Sequence, residues 1–261
     1  MRSQENRLRE LIDDGDTTIG TRLMSAWPGM VEVLGQTGVF DYVEFLGEYA
    51  PWDLHDLEHF GRASELAGLS SMMKIDAESR SFIAQRAMAS GIENLLFADI
   101  YDADDARECV DAVRAAPDGQ NGVRMDRRNG YVGGYASPAD VVDICEDAVV
   151  AIMVEKAACV DDLEEILAVE GIDMVQFGPA DYSLSIGEPG EMDGDRVVGA
   201  EEKTIETAIE MGVRPRAEIN TPAEAEWYLD RGVTDFNLNT DVRILHSWWS
   251  EQGRELEELV R

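Results

Sequence analysis

The sequence predicts an α/β protein of the (β/α)8 barrel class. Short apolar runs of the kind that form buried parallel strands recur along the chain. Amphipathic helical stretches separate these runs, and eight such repeats fit a length of 261 residues. A doubly wound open sheet is the less favoured alternative, because no Gly-x-Gly-x-x-Gly pattern follows the first strand. Since no segment reads as a linker, we expect residues 1–261 to form a single domain.

The expected elements alternate from the N-terminus onward. The strands are predicted at residues 17–25, 42–46, 69–75, 94–98, 149–155, 174–177, 214–218 and 236–239. The helices between them are predicted at residues 30–37, 53–67, 79–89, 103–116, 138–146, 160–169, 200–211 and 222–231. A last helix is predicted at residues 245–260.

Residues 117–137 interrupt this alternation. Long loops in compact domains are usually functional or disordered, and this one contains Arg124, Arg127 and Arg128. Guanidinium groups suit an anionic substrate or a contact with another subunit, whereas pairing with the acidic surface of the same chain is the alternative. We predict that Arg124 binds substrate.

The chain is strongly acidic, with 54 Asp and Glu residues against 22 Lys and Arg and a formal net charge of −32. This charge excludes a simple nucleic-acid binder and argues against docking on anionic membranes. The acids are spread along the chain, which indicates a solvated acidic surface of the kind found in proteins adapted to high salt. The apolar fraction of 44% is sufficient for a sizeable core.

The polar first residues and the number and spacing of the cysteines lead us to expect a cytoplasmic protein. The first residues are polar and lack the apolar region of a signal peptide, and no run approaches the ~18 apolar residues that span a membrane. Cys109, Cys145 and Cys159 have no metal-binding spacing, and their odd number argues against a disulfide framework. We expect all three to be packing residues.

Two predicted strands lead to carboxylates. Glu155 ends the fifth strand, and Asp181 follows the sixth within the turn formed by Gly178, Pro179 and Ala180. A helix joins these parallel strands, so both carboxylates emerge at the C-terminal edge of the sheet, where α/β folds bind ligands. Two carboxylates completed by water suit Mg²⁺ or Mn²⁺, while successive N–H groups in the turn can bind an anion. In so acidic a chain, a surface role for Glu155 is the alternative.

These residues also carry a resemblance to a known family. The segments 167–183, 152–155 and 40–51 are similar to the HpcH/HpaI family of class II, metal-dependent pyruvate aldolases, such as 2,4-dihydroxyhept-2-ene-1,7-dioate aldolase. The similarity runs over most of the chain, and Gly-Pro-Ala-Asp is its most specific part. It implies a TIM barrel of the phosphoenolpyruvate/pyruvate-binding type, whose last helix is swapped between the subunits of a homo-hexamer.

The resemblance further implies that Glu155 and Asp181 hold Mg²⁺, with Mn²⁺ or Co²⁺ as alternatives. The implied activity is that of a carbon–carbon lyase, which cleaves a 4-hydroxy-2-oxo acid through a pyruvate-type enolate to a 2-oxo acid and an aldehyde. Gly178, Pro179 and Ala180 would then lie beside the substrate carboxylate. The alternatives are another enolate reaction on the same fold, such as condensation or decarboxylation, and a non-catalytic protein that binds metal and a 2-oxo acid.

The chain departs from the family at the acid/base residues. Family aldolases carry Glu-His-Ala-Pro after the second strand, where this chain has Glu48 and Tyr49 in the first two positions, and the aspartate that holds the histidine is replaced by Leu46. Lys74 stands in place of an arginine that polarises the keto oxygen, and Met153 in place of a glutamine. The metal carboxylates therefore survive, whereas the acid/base dyad does not.

Tyr49 and Lys74 are the predicted catalytic residues, and Glu48 is predicted to bind substrate. One interpretation is that Tyr49 transfers protons, with the Lys74 ammonium lowering the pKa of its phenol. Alternatively, a metal-bound water transfers the proton while Tyr49 orients the substrate, or aldol activity is lost and binding is retained. A Schiff base on Lys74 is disfavoured because the pair of metal carboxylates makes it redundant.

The predicted last helix has a broad apolar surface. Two adjacent tryptophans cannot share one narrow stripe, so part of this surface would stay exposed on a monomer. Aromatic-rich exposed surface usually marks an interface, which agrees with the implied hexamer. The apolar residues of the helix are Leu245, Trp248, Trp249, Leu256 and Leu259.

Overall fold

The computed structural model describes residues 6–131 and 137–261. It contains a closed barrel of eight parallel strands that pair in chain order, which confirms the predicted fold class. The strands are β1 Thr18–Leu23, β2 Tyr42–Leu46, β3 Ser70–Ile75, β4 Asn94–Phe97, β5 Val150–Val154, β6 Met174–Phe177, β7 Arg214–Ile219 and β8 Asp235–Thr240. The helices are α1 Arg7–Asp14, α2 Pro28–Gly35, α3 Leu54–Ala67, α4 Arg80–Ser90, α5 Ala103–Val113, α6 Pro138–Glu146, α7 Ala157–Asp161, α8 Leu163–Leu167, α9 Pro179–Ser185, α10 Asp195–Met211, α11 Ala225–Leu229 and α12 Asp241–Val260.

All eight predicted strands are present, and the larger differences concern helices. The single helix predicted at 160–169 is the pair α7 and α8, and the one predicted at 222–231 is a 3₁₀ turn followed by α11. The helix predicted at 103–116 ends three residues earlier, at Val113. The side-chain amide of Asn121 donates to the carbonyls of Ala112 and Val113 at 2.7 and 2.9 Å, which satisfies groups that another helical turn would have used.

The helix α1 was not predicted from sequence, and it closes the N-terminal end of the barrel. Its Leu8 is fully buried and joins the apolar residues that fill the barrel interior, including Met72 and Met174. Just before the helix, Asn6 donates to Asn94 at 2.8 Å and accepts from Ser70 at 2.9 Å. These contacts leave the opposite, C-terminal end of the strands as the open mouth of the barrel.

One side of the barrel interior is polar. Glu44 on β2 and Arg216 on β7 form a fully buried ion pair of 2.6 Å, and Asn237 on β8 donates to the same Glu44 oxygen at 2.9 Å. Burial opposes the charge of Arg216, but the attraction of Glu44 outweighs it and raises the pKa of the guanidinium. Arg216 also donates to Gln176, whose amide donates to Glu218 near the mouth at 2.8 Å. The ion pair therefore connects the barrel centre to the mouth.

The arginines of the loop at 117–131 bind the outside of the barrel; residues 132–136 of the predicted loop lie outside the described part of the chain. Arg124 donates to the carbonyl of Gln85 in α4 at 3.1 Å, and Arg128 donates to the carbonyl of Ile92 at 2.8 Å. Arg127 forms a salt bridge with Glu65 of α3, which is the predicted alternative of pairing within the chain. Within one chain Arg124 does not reach the mouth, because its guanidinium is bonded to a backbone carbonyl of α4.

The last helix projects from the barrel. It begins four residues earlier than predicted, and Asp241 is its one buried residue in the described structure. Trp248 and Trp249 are 59% and 61% exposed, and Leu256 and Leu259 are 60% and 80% exposed. None of the described helices is both long and apolar enough to cross a lipid bilayer. The three cysteines are free and buried, as predicted.

Candidate functional site

Three of the predicted site residues meet at the barrel mouth. Lys74 lies near the end of β3, and its ammonium is 2.7 Å from a carboxylate oxygen of Glu48. The same ammonium donates to the hydroxyl of Tyr49 at 3.0 Å and lies 5.0 Å from the centre of its ring. The side chain of Lys74 is 6% exposed, so this cation is held away from bulk water. The structure thus assembles Glu48, Tyr49 and Lys74 as one cluster.

A tight turn after β2 sets the positions of Glu48 and Tyr49. The N–H groups of Tyr49 and Ala50 both donate to the carbonyl of Leu46, at 3.1 and 3.0 Å. The indole N–H of Trp52 closes the turn by donating to the carbonyl of Gly47 at 2.8 Å. The turn holds both side chains beside β3, where Lys74 can reach them.

The electrostatics of the cluster differ from the prediction. Burial would lower the pKa of Lys74, but the negative charges of Glu155 and Glu48 outweigh it and raise that pKa. Burial of the phenol raises the pKa of Tyr49 to about 12, and the lowering effect of Lys74 is too small to reverse this. The predicted lowering by Lys74 is present, but burial outweighs it, so the pKa of the phenol is raised overall. At neutral pH Tyr49 is an uncharged hydrogen-bond donor and Lys74 is an ammonium ion.

Glu155 is held by two neighbouring strand ends. It directly follows β5, is 2% exposed, and its Oε1 accepts from the backbone N–H of Asp99 at 2.9 Å. A Cβ added to Gly178 would lie 2.9 Å from Glu155 Oε2, so glycine is needed for the backbone to pass this close. Oε1 therefore faces β4, while Oε2 faces the end of β6.

The charge of Asp181 acts on the carboxyl group of Glu155. Burial raises the pKa of the Glu155 carboxyl, Lys74 and the N–H of Asp99 oppose the rise, and the charge of Asp181 adds to it. A repulsion of this kind between two carboxylates is relieved when a cation binds between them. The surface alternative for Glu155 is therefore wrong, because the residue is buried at the mouth.

The predicted turn before Asp181 is the first turn of α9. This helix begins at Pro179, so Asp181 lies at its N-terminal end. Gly178 has already donated its N–H to the carbonyl of Val154 at 3.0 Å, and proline has no N–H to offer. The predicted anion nest is thus reduced to the N–H groups of Ala180 and Asp181, for which the helix supplies no acceptor.

The residues at the mouth fit a hard divalent cation. In the described ranges, no group of three or more Asp, Glu, His or Cys side chains is arranged to hold a metal. A cation would therefore take Glu155 and Asp181 from the protein and complete its shell with oxygens of substrate and water, as Mg²⁺ commonly does. The apolar neighbours Leu46 and Met153 are 4% and 3% exposed and offer no oxygen ligand.

Three further charged residues at the mouth were missed from sequence. Lys156 and Asp99 form a salt bridge of 2.5 Å beside Glu155. Asp76 follows β3 two residues after Lys74, and burial, with the charges of Glu48 and Asp99, raises its pKa. Each acid lies one or two residues beyond a strand, so the rule that located Glu155 would also have found these two. Among so many acids, that rule alone gave no reason to select them.

Comparison with known proteins assigns the chain to a family. The family model of the HpcH/HpaI aldolase/citrate lyase family matches residues 20–238. The hydroxypyruvate/pyruvate aldolase of Cupriavidus necator is 31% identical over 87% of this chain and 83% of its own length. A 2-keto-3-deoxy-L-rhamnonate aldolase of Salmonella gallinarum is 33% identical over 70% of this chain and 68% of its own.

The fold gives the same assignment. The crystal structure of an HpcH/HpaI aldolase from Desulfitobacterium hafniense superposes with a TM-score of 0.88 at 25% identity, covering 96% of each chain. The predicted family and the predicted enzyme class, an aldolase of the carbon–carbon lyase type, are both confirmed. The chain belongs to the HpcH/HpaI aldolase/citrate lyase family.

Proposed function

We propose that this enzyme cleaves a 4-hydroxy-2-oxo acid to a 2-oxo acid such as pyruvate and an aldehyde, with Mg²⁺ bound by Glu155 and Asp181. The observation that carries the proposal is the placement of the Lys74 cluster next to Glu155, whose charge is the largest influence raising the Lys74 pKa. When bound, the metal supplies positive charge to the carboxylate and keto oxygens of the substrate, where the enolate charge develops.

Lys74 supplies a second, fixed positive charge at the same place. Its pKa is raised, so it stays protonated throughout the neutral range, and it can stabilise negative charge on the keto oxygen. A protonated amine is not a nucleophile, so this site does not favour a Schiff base on Lys74. The N–H groups of Ala180 and Asp181 lie at the start of α9 and are suited to the substrate carboxylate.

Tyr49 acts as a donor rather than a base. Its oxygen accepts a hydrogen bond from Lys74, and its own O–H, which can bond to Glu48 in the free enzyme, can donate to a substrate oxygen. A phenol with a pKa of about 12 is almost never deprotonated near pH 7, which makes it a poor proton acceptor. This favours the interpretation in which Tyr49 orients the substrate.

Cleavage also needs an acceptor for the C4 hydroxyl proton and a donor to C3 of the enolate. Asp76 suits both steps because, among the described residues, its carboxylate has no hydrogen-bond or salt-bridge partner. It takes the hydroxyl proton as the C3–C4 bond breaks and returns that proton to C3 after the aldehyde has left. The raised pKa of Asp76 makes it a stronger base than an ordinary aspartate.

Oxaloacetate decarboxylation separates an enolate-forming enzyme from a protein that only binds 2-oxo acids. It needs enolate stabilisation but no C4 hydroxyl proton, so we expect Mg²⁺-dependent decarboxylation as well as aldol cleavage. Glu155→Gln and Asp181→Asn should each abolish both reactions and weaken Mg²⁺ binding. Decarboxylation without cleavage of any 4-hydroxy-2-oxo acid would replace the aldolase with another enolate reaction. Full activity of both variants in the presence of a chelator would overturn the metal site.

We also propose that the exposed helix α12 packs on a second copy of the chain in a homo-hexamer. Its tryptophans and leucines are exposed along a helix of 20 residues that leaves the barrel, and water-exposed apolar surface of this extent usually marks an interface. Exchange of this helix between neighbouring subunits would bury that surface.

A further inference from the structure

We propose that Asp99 is the positioning residue of the metal-binding carboxylate. In this proposal its backbone N–H fixes one oxygen of Glu155 so that the other faces Asp181, and its side chain keeps Lys156 away from Glu155. The inference rests on the proposed metal site. Asp99 lies two residues beyond the end of β4, which is the strand next to β5. No motif of the sequence selects this residue.

The backbone of Asp99 is strained. Its φ is 56°, in the left-handed region that residues with a side chain avoid, and this costs conformational energy. In this conformation its N–H donates to Glu155 Oε1 at 2.9 Å. A strained residue persists only where its surroundings determine it, and here the strained peptide group contacts a functional carboxylate directly.

Two cations hold Asp99 in place. Lys156 lies 2.5 Å from its Oδ1, and Arg80 donates to its backbone carbonyl at 3.4 Å. Arg80 is itself anchored by Glu108 at 2.9 Å and Asp105 at 3.3 Å. Both the side chain and the carbonyl of Asp99 are therefore tied to neighbouring elements, which fixes the direction of its N–H.

The arrangement prepares Glu155 for a cation in two ways. Because Oε1 is occupied by Asp99, the carboxylate cannot rotate freely, and Oε2 stays directed to the end of β6. Lys156 immediately follows Glu155, and its charge would compete with a metal for that carboxylate. Pairing with Asp99 engages the ammonium elsewhere.

The experiment measures Mn²⁺ affinity without substrate, by calorimetry, for Asp99→Ala and Asp99→Gly. Both are made in a Lys156→Met background, which removes the effect of a released ammonium. Glycine adopts the left-handed conformation without strain and keeps the N–H in place, whereas alanine does not. We expect Asp99→Gly to bind Mn²⁺ as tightly as Lys156→Met alone and Asp99→Ala to bind it about 10- to 100-fold more weakly.

Asn239 provides the matched control. It has a φ of 55° at the end of β8 and bonds to Asn220, not to Glu155. Asn239→Ala should therefore lower the melting temperature without changing Mn²⁺ affinity. A similar loss of affinity in Asn239→Ala would mean that general destabilisation explains the result, and the proposal would fail.

The role of the side chain is tested separately with Asp99→Asn in the otherwise native chain. Asparagine tolerates the left-handed region but releases Lys156, so we expect weaker Mn²⁺ binding that Lys156→Met restores. Equal affinities of the alanine and glycine variants would overturn the backbone role. Glu155→Gln is the reference: if it too binds Mn²⁺ normally, the metal site itself is wrong, whereas loss in Glu155→Gln alone rejects only the role of Asp99.

Discussion

Replacement of Lys74 by methionine tests the proposed site most directly. Methionine keeps most of the length of the side chain and removes the positive charge. The change deletes the 2.7 Å contact with Glu48 and the hydrogen bond to Tyr49 together. It also removes the cation that most strongly opposes the raised pKa of Glu155.

The expected loss follows from burial. Removing one preorganised donor from an oxyanion site lowers kcat by roughly 10²- to 10³-fold, or about 2.7–4 kcal/mol in activation free energy. Lys74 is charged and 6% exposed, so solvent replaces little of its effect, and we expect about 10³-fold. Lys74→Arg keeps the charge and should retain activity within roughly tenfold, although the guanidinium fork is shaped differently.

The assay is steady-state aldol cleavage, with oxaloacetate decarboxylation measured in parallel. Both reactions pass through the enolate, so Lys74→Met should lower both. Lys203→Met is the control, because Lys203 donates to the carbonyl of Val160 on the outside of the barrel at 2.5 Å. A Lys74→Met enzyme with kcat within threefold of the wild type would refute the role given to this ammonium. Covalent trapping of substrate on Lys74 by borohydride would refute the metal-dependent mechanism.

Three further predictions follow from the charges and the exposed helix. Asp76→Asn should lower kcat by about 10²- to 10⁴-fold. In the wild type, activity requires ionised Asp76, so it is present above the raised pKa of this residue and lost as the pH falls through it; an unchanged acidic limb in the variant would exclude Asp76. Glu44→Gln leaves the Arg216 charge buried without its partner. The change should lower the free energy of unfolding by about 3–5 kcal/mol and Tm by roughly 10 °C in calorimetry. A loss of stability below ~1 kcal/mol would contradict the buried pair. Light scattering over a salt series should show an oligomer that weakens at low ionic strength, and a persistent 28.9 kDa monomer in molar salt would exclude the assembly.

For Lys74, the position in the chain could be predicted from sequence, whereas its interactions depend on the folded structure. The sequence placed it near the end of a strand, and the family resemblance gave it the position of an arginine. Its effect on Tyr49 depends on how deeply the phenol is enclosed and on where Glu48 points, and both are properties of the folded mouth. Lys74 lowers the pKa of Tyr49 as predicted, but burial of the phenol outweighs this effect.

The sequence by itself determined the barrel and the positions of the two carboxylates that we propose as metal ligands. Alternating buried runs and amphipathic helices are local patterns, and parallel strands joined by helices must end at one edge, so Glu155 and Asp181 had to emerge together. The sequence could not show that Leu8 of α1 fills the N-terminal end of the barrel, although Leu8, Leu11 and Ile12 have a helical spacing that the prediction overlooked. Nor could it predict that Arg124 bonds to a carbonyl of α4 or that the N–H of Asp99 donates to Glu155. Those contacts join residues 39 and 56 positions apart, and they form only when the strands and helices close around a common core.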